Sequence, residues 1–402
     1  MIPRFEPKLG LNEFKALLNG GTEKSIKNFE KAFSKKFNAK SSIAFPYGRS
    51  GLYVFIKALK IENAEIIMPS YTCSVVSHAI TLTKNLPILI DINSDDFNMN
   101  LEKLEQSITS KTKVIIATHL FGYPMNMKKV VEIKKIAEKK FNHKIWLIDD
   151  SAHSFGVKWD CIPVSKFCDV SLYGLNISKI ITTIYGGMLS FNDEELAHKV
   201  RDYWDNLKSK PSILKIIYRK IYSLQCFFIF KPFFYRIIWW LQKNTKILDG
   251  ITKAYHLDNK ISLPKDAFDE MLPFEAEIGI CQIKKYDEII HERRSIAKIY
   301  DKNFKRFSSW VFPRFDKEAT YSHYTVLVPE RSKVIKSFQR NNIELGELIQ
   351  YSIDEMKCYK YLNQFCPNSR KASIKSINIP LTKAAIYQLK KYKYLARNEY
   401  SK

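Results

Sequence analysis

The fold is decided by the stretch Asp169-Val-Ser-Leu-Tyr-Gly-Leu-Asn-Ile-Ser-Lys-Ile-Ile-Thr-Thr-Ile-Tyr-Gly-Gly187. A short apolar strand follows Asp169, a polar turn carries Lys179, and the two final glycines open another strand over residues 188–191. Upstream, Leu147-Ile-Asp-Asp-Ser-Ala-His153 is a second apolar run that ends in polar residues. In open α/β sheets such polar residues gather at the carboxyl ends of the strands, which is where these proteins bind ligands.

Working outward from this stretch, further apolar runs alternate with segments of helical periodicity. Strands are predicted over residues 42–45, 66–68, 87–91 and 145–148, and a strand that ends in a turn is predicted over 114–122. Helices are predicted over 22–37, 52–59, 101–108, 130–141 and 193–203. Runs that lack polar alternation and are separated by helices indicate parallel strands buried on both faces. We therefore predict an α/β protein whose large domain, residues 1–265, has a mostly parallel central sheet flanked by helices.

The remaining residues, 266–402, predict a smaller α+β domain. A long helical pattern over residues 274–304 links the two domains. Strands are predicted over residues 324–328 and 376–379, and helices over 333–339 and 382–395. At 402 residues, the chain is long enough for two domains with a sizeable core.

The chain is strongly positive, because it contains 65 Lys and Arg residues and 41 Asp and Glu residues, which give a net charge of +24. Such a balance favours nucleic acid, anionic membranes or phosphorylated substrates as partners. Compositional drift explains the excess equally well, because the chain is rich in Lys, Ile and Asn throughout. An apolar content of 46% is ordinary for a globular protein.

The seven cysteines are scattered, form no CxxC pair and are odd in number. This pattern favours a reducing compartment and argues against a disulfide framework or a zinc site, so no metal is predicted. The first residues lack the pattern of a signal peptide, and no uncharged apolar run reaches the roughly 18 residues of a membrane span. We expect a cytoplasmic protein, with peripheral contact to the inner face of the membrane as an option.

That option comes from residues 206–248, which contain nine Lys or Arg and no acid beside many aromatic and aliphatic residues. Pro232 divides the stretch into two predicted helices. Basic residues mixed with Trp and Phe suit an amphipathic pair at an anionic membrane surface. The alternative is a helical hairpin packed on a dimer partner or over the active site. Nucleic acid is not expected, because no nucleic-acid-binding motif accompanies the charge.

Ordered motifs along the chain resemble those of one family. They are Gly48-Arg-Ser-Gly51, Pro69-Ser-Tyr-Thr72, His119-Leu-Phe-Gly122, Asp149-Asp-Ser-Ala-His153, the segment from Lys179 to Gly187, and Glu275-Ala-Glu-Ile-Gly-Ile-Cys-Gln-Ile283. With these motifs the chain resembles the DegT/DnrJ/EryC1/StrS family of pyridoxal-phosphate-dependent sugar aminotransferases, over residues 20–402 except an insertion at 206–262. The resemblance implies fold type I and a homodimer, since this family usually builds its site across a dimer.

The resemblance also implies the site residues. Lys179 would be the Schiff-base lysine, shielded by apolar neighbours, and Asp150 would face the pyridinium nitrogen. Cofactor contacts are further implied for residues on a strand–turn–helix that suits phosphate and for residues around the ring, namely Gly48, Arg49, Ser50, Tyr71, Cys73, His153, Asn176 and Ser178. His323 matches a family position in the small domain but is left out of the predicted site.

Three departures from the family pattern lie beside these residues. Gly174 replaces a phosphate-contacting serine, with Asn176 or Ser178 as replacements, and Cys73 stands where many relatives place an aromatic residue. Phe268-Asp-Glu-Met271 replaces an Asn-Tyr-Arg-Met segment that reaches the neighbouring subunit's site in sugar aminotransferases. The cofactor lysine is thus kept, whereas the substrate-side signature is not.

The predicted function is an aminotransferase that moves an amino group from a donor such as glutamate to a keto-sugar, nucleotide-linked or lipid-linked, for a surface polysaccharide. Another pyridoxal phosphate reaction, sugar dehydration, is less favoured, because relatives that dehydrate typically carry His in place of the lysine. A third hypothesis is a degenerate family member that serves as a membrane-associated scaffold.

Overall fold

The central sheet has seven strands, and its topology is mostly parallel, as predicted. The computed structural model describes residues 1–245, 260–304 and 307–391. The strands are β1 (Ser41–Phe45), β2 (Glu65–Pro69), β3 (Leu86–Ile90), β4 (Thr112–Thr118), β5 (Trp146–Asp150), β8 (Val170–Gly174) and β9 (Gly187–Phe191), with a short hairpin of β6 (Lys158–Trp159) and β7 (Ile162–Pro163) between β5 and β8. Their order is β1-β9-β8-β5-β4-β2-β3, and only β9 runs antiparallel to its neighbours.

Helices cover both faces of this sheet. They are α1 (Leu11–Asn19), α2 (Glu23–Lys36), α3 (Gly48–Ala58), α4 (Ser74–Leu82), α5 (Leu101–Ser107), α6 (Met127–Phe141) and α7 (Glu194–Leu207). Successive residues of β2 alternate between two cores, since Ile66 and Met68 pack in one and Ile67 packs in the other. Because both faces of each parallel strand are buried, the apolar runs of the sequence show no polar alternation.

The chain then forms the pair of helices that Pro232 was predicted to divide. These are α8 (Ile213–Ile229) and α9 (Pro232–Asn244). The side chain of Ser212 caps α8 by accepting a hydrogen bond from Lys215 N, and proline suits the first turn of α9 because that position has no intrahelical N–H bond to lose. Helix α8 packs on α1 through the rings of Phe14 and Phe227. The rest of the predicted insertion, residues 246–259, lies outside the described residues.

The small domain follows a helix of 32 residues, α10 (Pro273–Phe304). It contains the antiparallel strands β10 (Tyr324–Leu327) and β11 (Ser376–Ile379), with α11 (Arg331–Arg340), α12 (Pro367–Lys375) and α13 (Lys383–Lys391). These elements confirm the linking helix, both predicted strands and the helix predicted near 333–339. The helix predicted over 382–395 is confirmed as far as residue 391, beyond which the prediction lies outside the described residues.

The small domain is joined to the large one by a continuous core and by polar anchors. Tyr71 of the large domain shares one core with Ile377 of β11. Asp91, just beyond β3, accepts hydrogen bonds from the backbone N–H groups of Asn368 and Ser369 in the first turn of α12. The sequence did not predict α12, and the boundary drawn at residue 265 stays a prediction. Among the described residues, no helix is long and apolar enough to cross a membrane.

Candidate active site

Asp150 is the last residue of β5 and lies at the carboxyl edge of the sheet. It stands opposite Thr118 of β4 on one side and Leu172 of β8 on the other. Its carboxylate accepts hydrogen bonds from Ala152 N at 3.2 Å and from Thr118 Oγ1 at 3.3 Å. Burial raises the pKa of Asp150 above its usual value, while these hydrogen bonds and the positive charge of Lys179 act in the opposite direction.

Lys179 lies on the turn that connects β8 to β9 and comes close to Asp150. Its backbone N–H donates to the carbonyl of Asn176 at 3.0 Å, and Ser178 donates to the Asn176 side chain from both its N–H and its hydroxyl. Burial lowers the pKa of the Lys179 amine, and electrostatic interactions with Cys73 and Asp150 oppose that shift. A lowered pKa leaves more of the amine unprotonated, which is the form that attacks a carbonyl.

Two buried histidines stand beside this pair. The ring centroid of His153 lies 5.4 Å from that of His323, and His153 Nδ1 lies 3.4 Å from the backbone N–H of Phe121. Burial holds the pKa of both imidazoles well below the usual value, and the charge of Lys179 lowers both pKa values further. Both rings are therefore neutral. The structure thus brings His323, which the sequence analysis left out, into the same cluster as His153.

The segment that the sequence predicted as a phosphate-binding turn before a helix forms the first turn of α3 itself. Tyr47 is the extended N-cap residue, and the helix itself already begins at Gly48. The chain approaches β9 so closely here that a Cβ on Gly187 would lie 2.3 Å from Gly48 N. Such an N-terminus presents backbone N–H groups and the positive end of the helix dipole, and both favour a phosphate group.

Ser50, in this first turn, tests whether the turn suits a phosphate. Its side chain is fully buried, and its Oγ has no hydrogen-bond partner among the described residues. Buried hydroxyls are nearly always hydrogen-bonded, because leaving one unpaired costs free energy. A phosphate oxygen held at the turn would supply the missing partner. The residues present therefore fit the phosphate of the predicted cofactor.

The other predicted contacts are spread around this centre. Cys73 is the N-cap residue of α4 and is near enough to influence Lys179 electrostatically. The Cζ of Arg49 lies 5.0 Å from the ring centre of Tyr47. Tyr71 packs instead in the core between the domains, where its hydroxyl lies 2.8 Å from Ser376 Oγ. Cofactor contact by each of these residues stays a prediction.

The departures from the family pattern also have structural counterparts. A Cβ on Gly174 would lie 3.4 Å from Lys179 Cε, so a side chain at this position would contact the lysine. The segment 268–271 is bonded within its own chain: Ser209 N donates to the Phe268 carbonyl, and Asp269 pairs with Lys215 of α8. The segment is thus tied to the start of the insertion.

A buried arginine that the sequence analysis missed connects α8 to the first turn of α3. Arg219 Nη1 lies 2.8 Å from Glu275 Oε1 at the start of α10, and Nη2 lies 3.0 Å from Asp266 Oδ2. The same Nη2 donates to the hydroxyl of Tyr47, the residue before Gly48. The position of an arginine on a basic helix does not predict that its side chain points into the protein. The one signal in the sequence was that α8 itself contains no acid, so a buried cation on this helix would need partners from distant parts of the chain.

The chain was compared with protein families and with known proteins. The DegT/DnrJ/EryC1/StrS aminotransferase family matches residues 11–210 and 269–387, so the unmatched interval coincides closely with the predicted insertion. GDP-perosamine synthase of Escherichia coli O157:H7 is 25% identical over 361 residues, which are 88% of this chain and 84% of the relative.

Solved structures share the fold. A putative sugar aminotransferase from Streptococcus pneumoniae in its PMP form has a TM-score of 0.76 at 20% identity, covering 99% of each chain. A GDP-4-keto-6-deoxymannose-3-dehydratase variant with bound GDP-perosamine has a TM-score of 0.74 at 18% identity, again over 99% of each chain.

These matches confirm the predicted fold type, the prediction of an aminotransferase and the prediction of pyridoxal phosphate as the cofactor of this family. The family match extends from the first helix through the sheet and across the small domain, and thus over well more than half of the chain. The chain belongs to the DegT/DnrJ/EryC1/StrS aminotransferase family.

Proposed function

We propose that this aminotransferase transfers an amino group from an amino acid, glutamate as the expected donor, to a keto-sugar that is nucleotide-linked or lipid-linked and destined for a surface polysaccharide. One observation supports this most strongly: Lys179 and Asp150 lie together at the carboxyl edge of the sheet, beside the first turn of α3. A reactive amine, a buried carboxylate and an anion-binding helix terminus are the three features that the cofactor requires.

Pyridoxal phosphate, when bound, supplies an aldehyde for the lysine and a conjugated ring that delocalises negative charge. Each residue then has one task. Lys179 Nζ takes the proton from Cα of the amino donor and later returns a proton to the sugar carbon that is aminated. The Asp150 carboxylate would hold a proton on the ring nitrogen. Ser50 Oγ and the first amides of α3 would bind the phosphate, and the neutral His153 would contact the cofactor.

The sugar-binding side is where we propose that this protein differs from common nucleotide-sugar aminotransferases. Segment 268–271 lacks the Asn and Arg of the family pattern and is bonded to Ser209 and Lys215 of its own chain. The acceptor must therefore be recognised by other groups. We also propose a homodimer that works in the cytoplasm at the inner face of the membrane, in keeping with the usual assembly of the family.

Sugar dehydration is the competing reaction, and its test is separate. The dehydratase neighbour is only 18% identical, so this likeness concerns the fold alone. Incubation of the protein with GDP-4-keto-6-deoxymannose and glutamate distinguishes the reactions, because transamination yields a 4-amino-sugar that keeps its 3-hydroxyl, whereas dehydration yields a 4-keto-sugar that has lost the 3-hydroxyl. A lipid-linked keto-sugar should be tested in parallel. A 3-deoxy keto-sugar as the only product would reject our proposal.

The role of Lys179 has a direct chemical test. Borohydride reduction of the holoenzyme followed by peptide mass spectrometry should find the pyridoxyl group on the peptide that contains Lys179. Lys179→Ala should lose the visible absorbance of the lysine-bound cofactor, whereas Lys135→Ala, a change at an exposed lysine of α6, should keep it. A label on another lysine, or an unchanged spectrum in Lys179→Ala, would contradict the assignment. A colourless, cofactor-free protein that still binds anionic vesicles would favour the scaffold hypothesis.

A further inference from the structure

The outward face of α8 is apolar. Its exposed large side chains lie on one side of the helix at 100° per residue and are Ile213, Leu214, Ile217, Tyr218, Ile221, Leu224 and Phe228. The opposite side, which faces the protein, carries the buried Arg219, Ser223 and Cys226, and Ile216, Tyr222 and Phe227 pack beside them on the core. A surface helix normally has charged and polar residues on its outward side. This helix instead has large apolar side chains on its outward side as well as its inward side.

Helix α9 continues the pattern. Phe233, Ile237 and Trp240 recur at the helical spacing of one face and are all exposed, while Tyr235 on the other side is buried. Together the exposed apolar side chains of α8 and α9, here called the outer apolar surface, make up nearly half of the large exposed apolar residues in the described part of the chain. Contiguous apolar exposure on this scale marks an interaction site.

Positive charges accompany the outer apolar surface. Lys220 of α8, Lys231 between the two helices and Arg236 of α9 are exposed, and none of the three pairs with an acid in the described part of the chain. Residues 206–248 contain no Asp or Glu that could neutralise them. The three acids that contact α8, namely Asp266, Asp269 and Glu275, bind its inward-facing Lys215 and Arg219. The exposed side of the pair is thus apolar and cationic.

We propose that the outer apolar surface docks on an anionic lipid bilayer. Large apolar side chains flanked by lysine and arginine are the composition of helices that lie in the interface plane, with the apolar face among the acyl chains and the cations at the headgroups. A second copy of this chain in a two-fold contact would bring the same unneutralised cations against each other. Nucleic acid would neutralise the cations but leave the apolar side chains without a partner.

The length of the helices agrees with a surface position. Helix α8 has 17 residues and is about 25 Å long, so it can lie along a bilayer surface without crossing it. Its inward face is held by Arg219, which bonds to Glu275 and to Tyr47 next to the phosphate-binding turn. Docking therefore fixes the candidate active site at a set distance from the lipid headgroups.

This connection gives the docking surface a consequence for the substrate, which rests on the proposed function. A site fixed near the headgroups is placed to receive a keto-sugar whose lipid anchor stays in the bilayer. The proposal of the docking surface itself depends only on the exposure and charge of α8 and α9. Lipid binding and the choice of acceptor are thus separate claims, and they are measured separately.

The first experiment is vesicle flotation of the full-length holoenzyme. It should bind vesicles of phosphatidylglycerol and phosphatidylethanolamine and bind phosphatidylcholine vesicles at least tenfold more weakly. The double variant Ile221→Glu, Trp240→Glu should lose at least tenfold in binding to the anionic vesicles. Its matched control is Ile136→Glu, Ile374→Glu, because the exposed fractions of 52% and 62% resemble the 53% and 55% of Ile221 and Trp240. The control should bind as the wild type does.

A charge variant tests the cations separately. Lys220→Gln, Lys231→Gln, Arg236→Gln should weaken binding to anionic vesicles in low salt and make it less sensitive to added salt, because fewer charges interact with the headgroups. Retained visible absorbance of the cofactor in every variant shows that the active site is intact. Loss of lipid binding with that absorbance unchanged supports the docking surface independently of the reaction.

Two results would overturn the proposal. In the first, Ile221→Glu, Trp240→Glu binds anionic vesicles as tightly as its control does. In the second, the wild-type protein binds no vesicles, and analytical ultracentrifugation shows that its oligomer dissociates in Ile221→Glu, Trp240→Glu. The surface would then join two copies of the chain. If the protein binds lipid but aminates only nucleotide-linked sugars, the docking surface is supported and the lipid-linked acceptor is rejected.

Discussion

Arg219 Nη1 lies 2.8 Å from Glu275 Oε1, and the side chains of both residues are almost completely buried. This pair joins α8 to the start of α10, and Asp266 and Tyr47 complete the hydrogen bonds of the guanidinium. Burial raises the pKa of Glu275, whereas the adjacent positive charge of Arg219 lowers it and favours the carboxylate. The guanidinium of Arg219 on α8 is therefore used inside the protein, while large apolar side chains such as Ile221 face outward.

Removing the cation of this pair should be costly. Arg219→Met leaves the Glu275 carboxylate buried without its main partner, which typically destabilises a protein by about 3–5 kcal/mol. Urea unfolding of the variant should show this loss. In Arg219→Met, Glu275→Gln no charge is left behind, so the double variant should be more stable than Arg219→Met alone. A double variant whose loss equals the sum of the single losses would contradict a direct coupling.

Ser50 should contribute to cofactor binding and little to folding. Ser50→Ala removes the one hydroxyl of the first turn of α3 that lacks a partner. If this hydroxyl binds a charged phosphate oxygen, its loss should cost about 1.5–3 kcal/mol, which is roughly a tenfold to hundredfold weaker Kd for pyridoxal phosphate. Ser223→Ala is the matched control, because Ser223 on α8 also has a buried hydroxyl without a partner. Equal affinities of the two variants would contradict the role of Ser50.

Gly174 and Gly187 should respond in opposite ways to an added side chain. A Cβ at Gly174 meets Lys179 Cε at 3.4 Å and Ala152 Cβ at 3.6 Å, which are ordinary contacts. Gly174→Ser should fold normally and restore the hydroxyl of the family pattern, tightening the Kd for pyridoxal phosphate by about three- to tenfold. Gly187→Ala places a Cβ 2.3 Å from Gly48 N and should abolish cofactor binding by displacing the first turn of α3.

Titration of the apo forms with pyridoxal phosphate, followed by cofactor absorbance, measures these affinities. Weaker binding in Gly174→Ser than in the wild type would show that the phosphate lies elsewhere. Normal binding in Gly187→Ala would show that the close approach of β9 to the first turn of α3 is not needed.

His119 should make the folded protein less stable as the pH falls. Burial lowers the pKa of its imidazole to about 3, and Nδ1 accepts a hydrogen bond from Met125 N at 3.0 Å, so the ring is neutral when folded. Below about pH 6.5 the unfolded chain binds a proton at this residue and the folded chain does not. The contribution of His119 to stability is thus present above pH 6.5 and is lost as the pH falls towards 3.

The measurement is urea unfolding at pH 7 and pH 5. His119→Gln cannot take up the proton, so its loss of stability between these two pH values should be smaller than that of the wild type by about 2 kcal/mol. His291→Gln, at an exposed histidine of α10, should keep the wild-type difference. A wild-type pH dependence in His119→Gln would contradict a neutral buried ring.

Much of the fold and the centre of the site could be predicted from local patterns. Uninterrupted apolar runs such as 114–118 predicted buried parallel strands, because a strand with helices on both faces has no polar side. The positions of Asp150 at the end of β5 and of Lys179 on the turn after the neighbouring strand β8 were predictable, because ordered motifs carry both residues. Their roles at the cofactor stay a proposal. His323 was not placed there by any local pattern, because its approach to His153 depends on how the small domain packs on the large one.

The sequence by itself determined that the stretch 206–248 contains two basic, aromatic helices divided at Pro232, which are residues 213–229 and 232–244 in the structure, since helix formation depends on local spacing. Only the tertiary structure decided which side of each helix faces the protein. An apolar helix can bury either side, and the choice followed from distant partners: Glu275, Asp266 and Tyr47 satisfy Arg219 inside and leave Ile221 outside. A buried charge needs partners that local sequence does not reveal, and those partners set the orientation of α8.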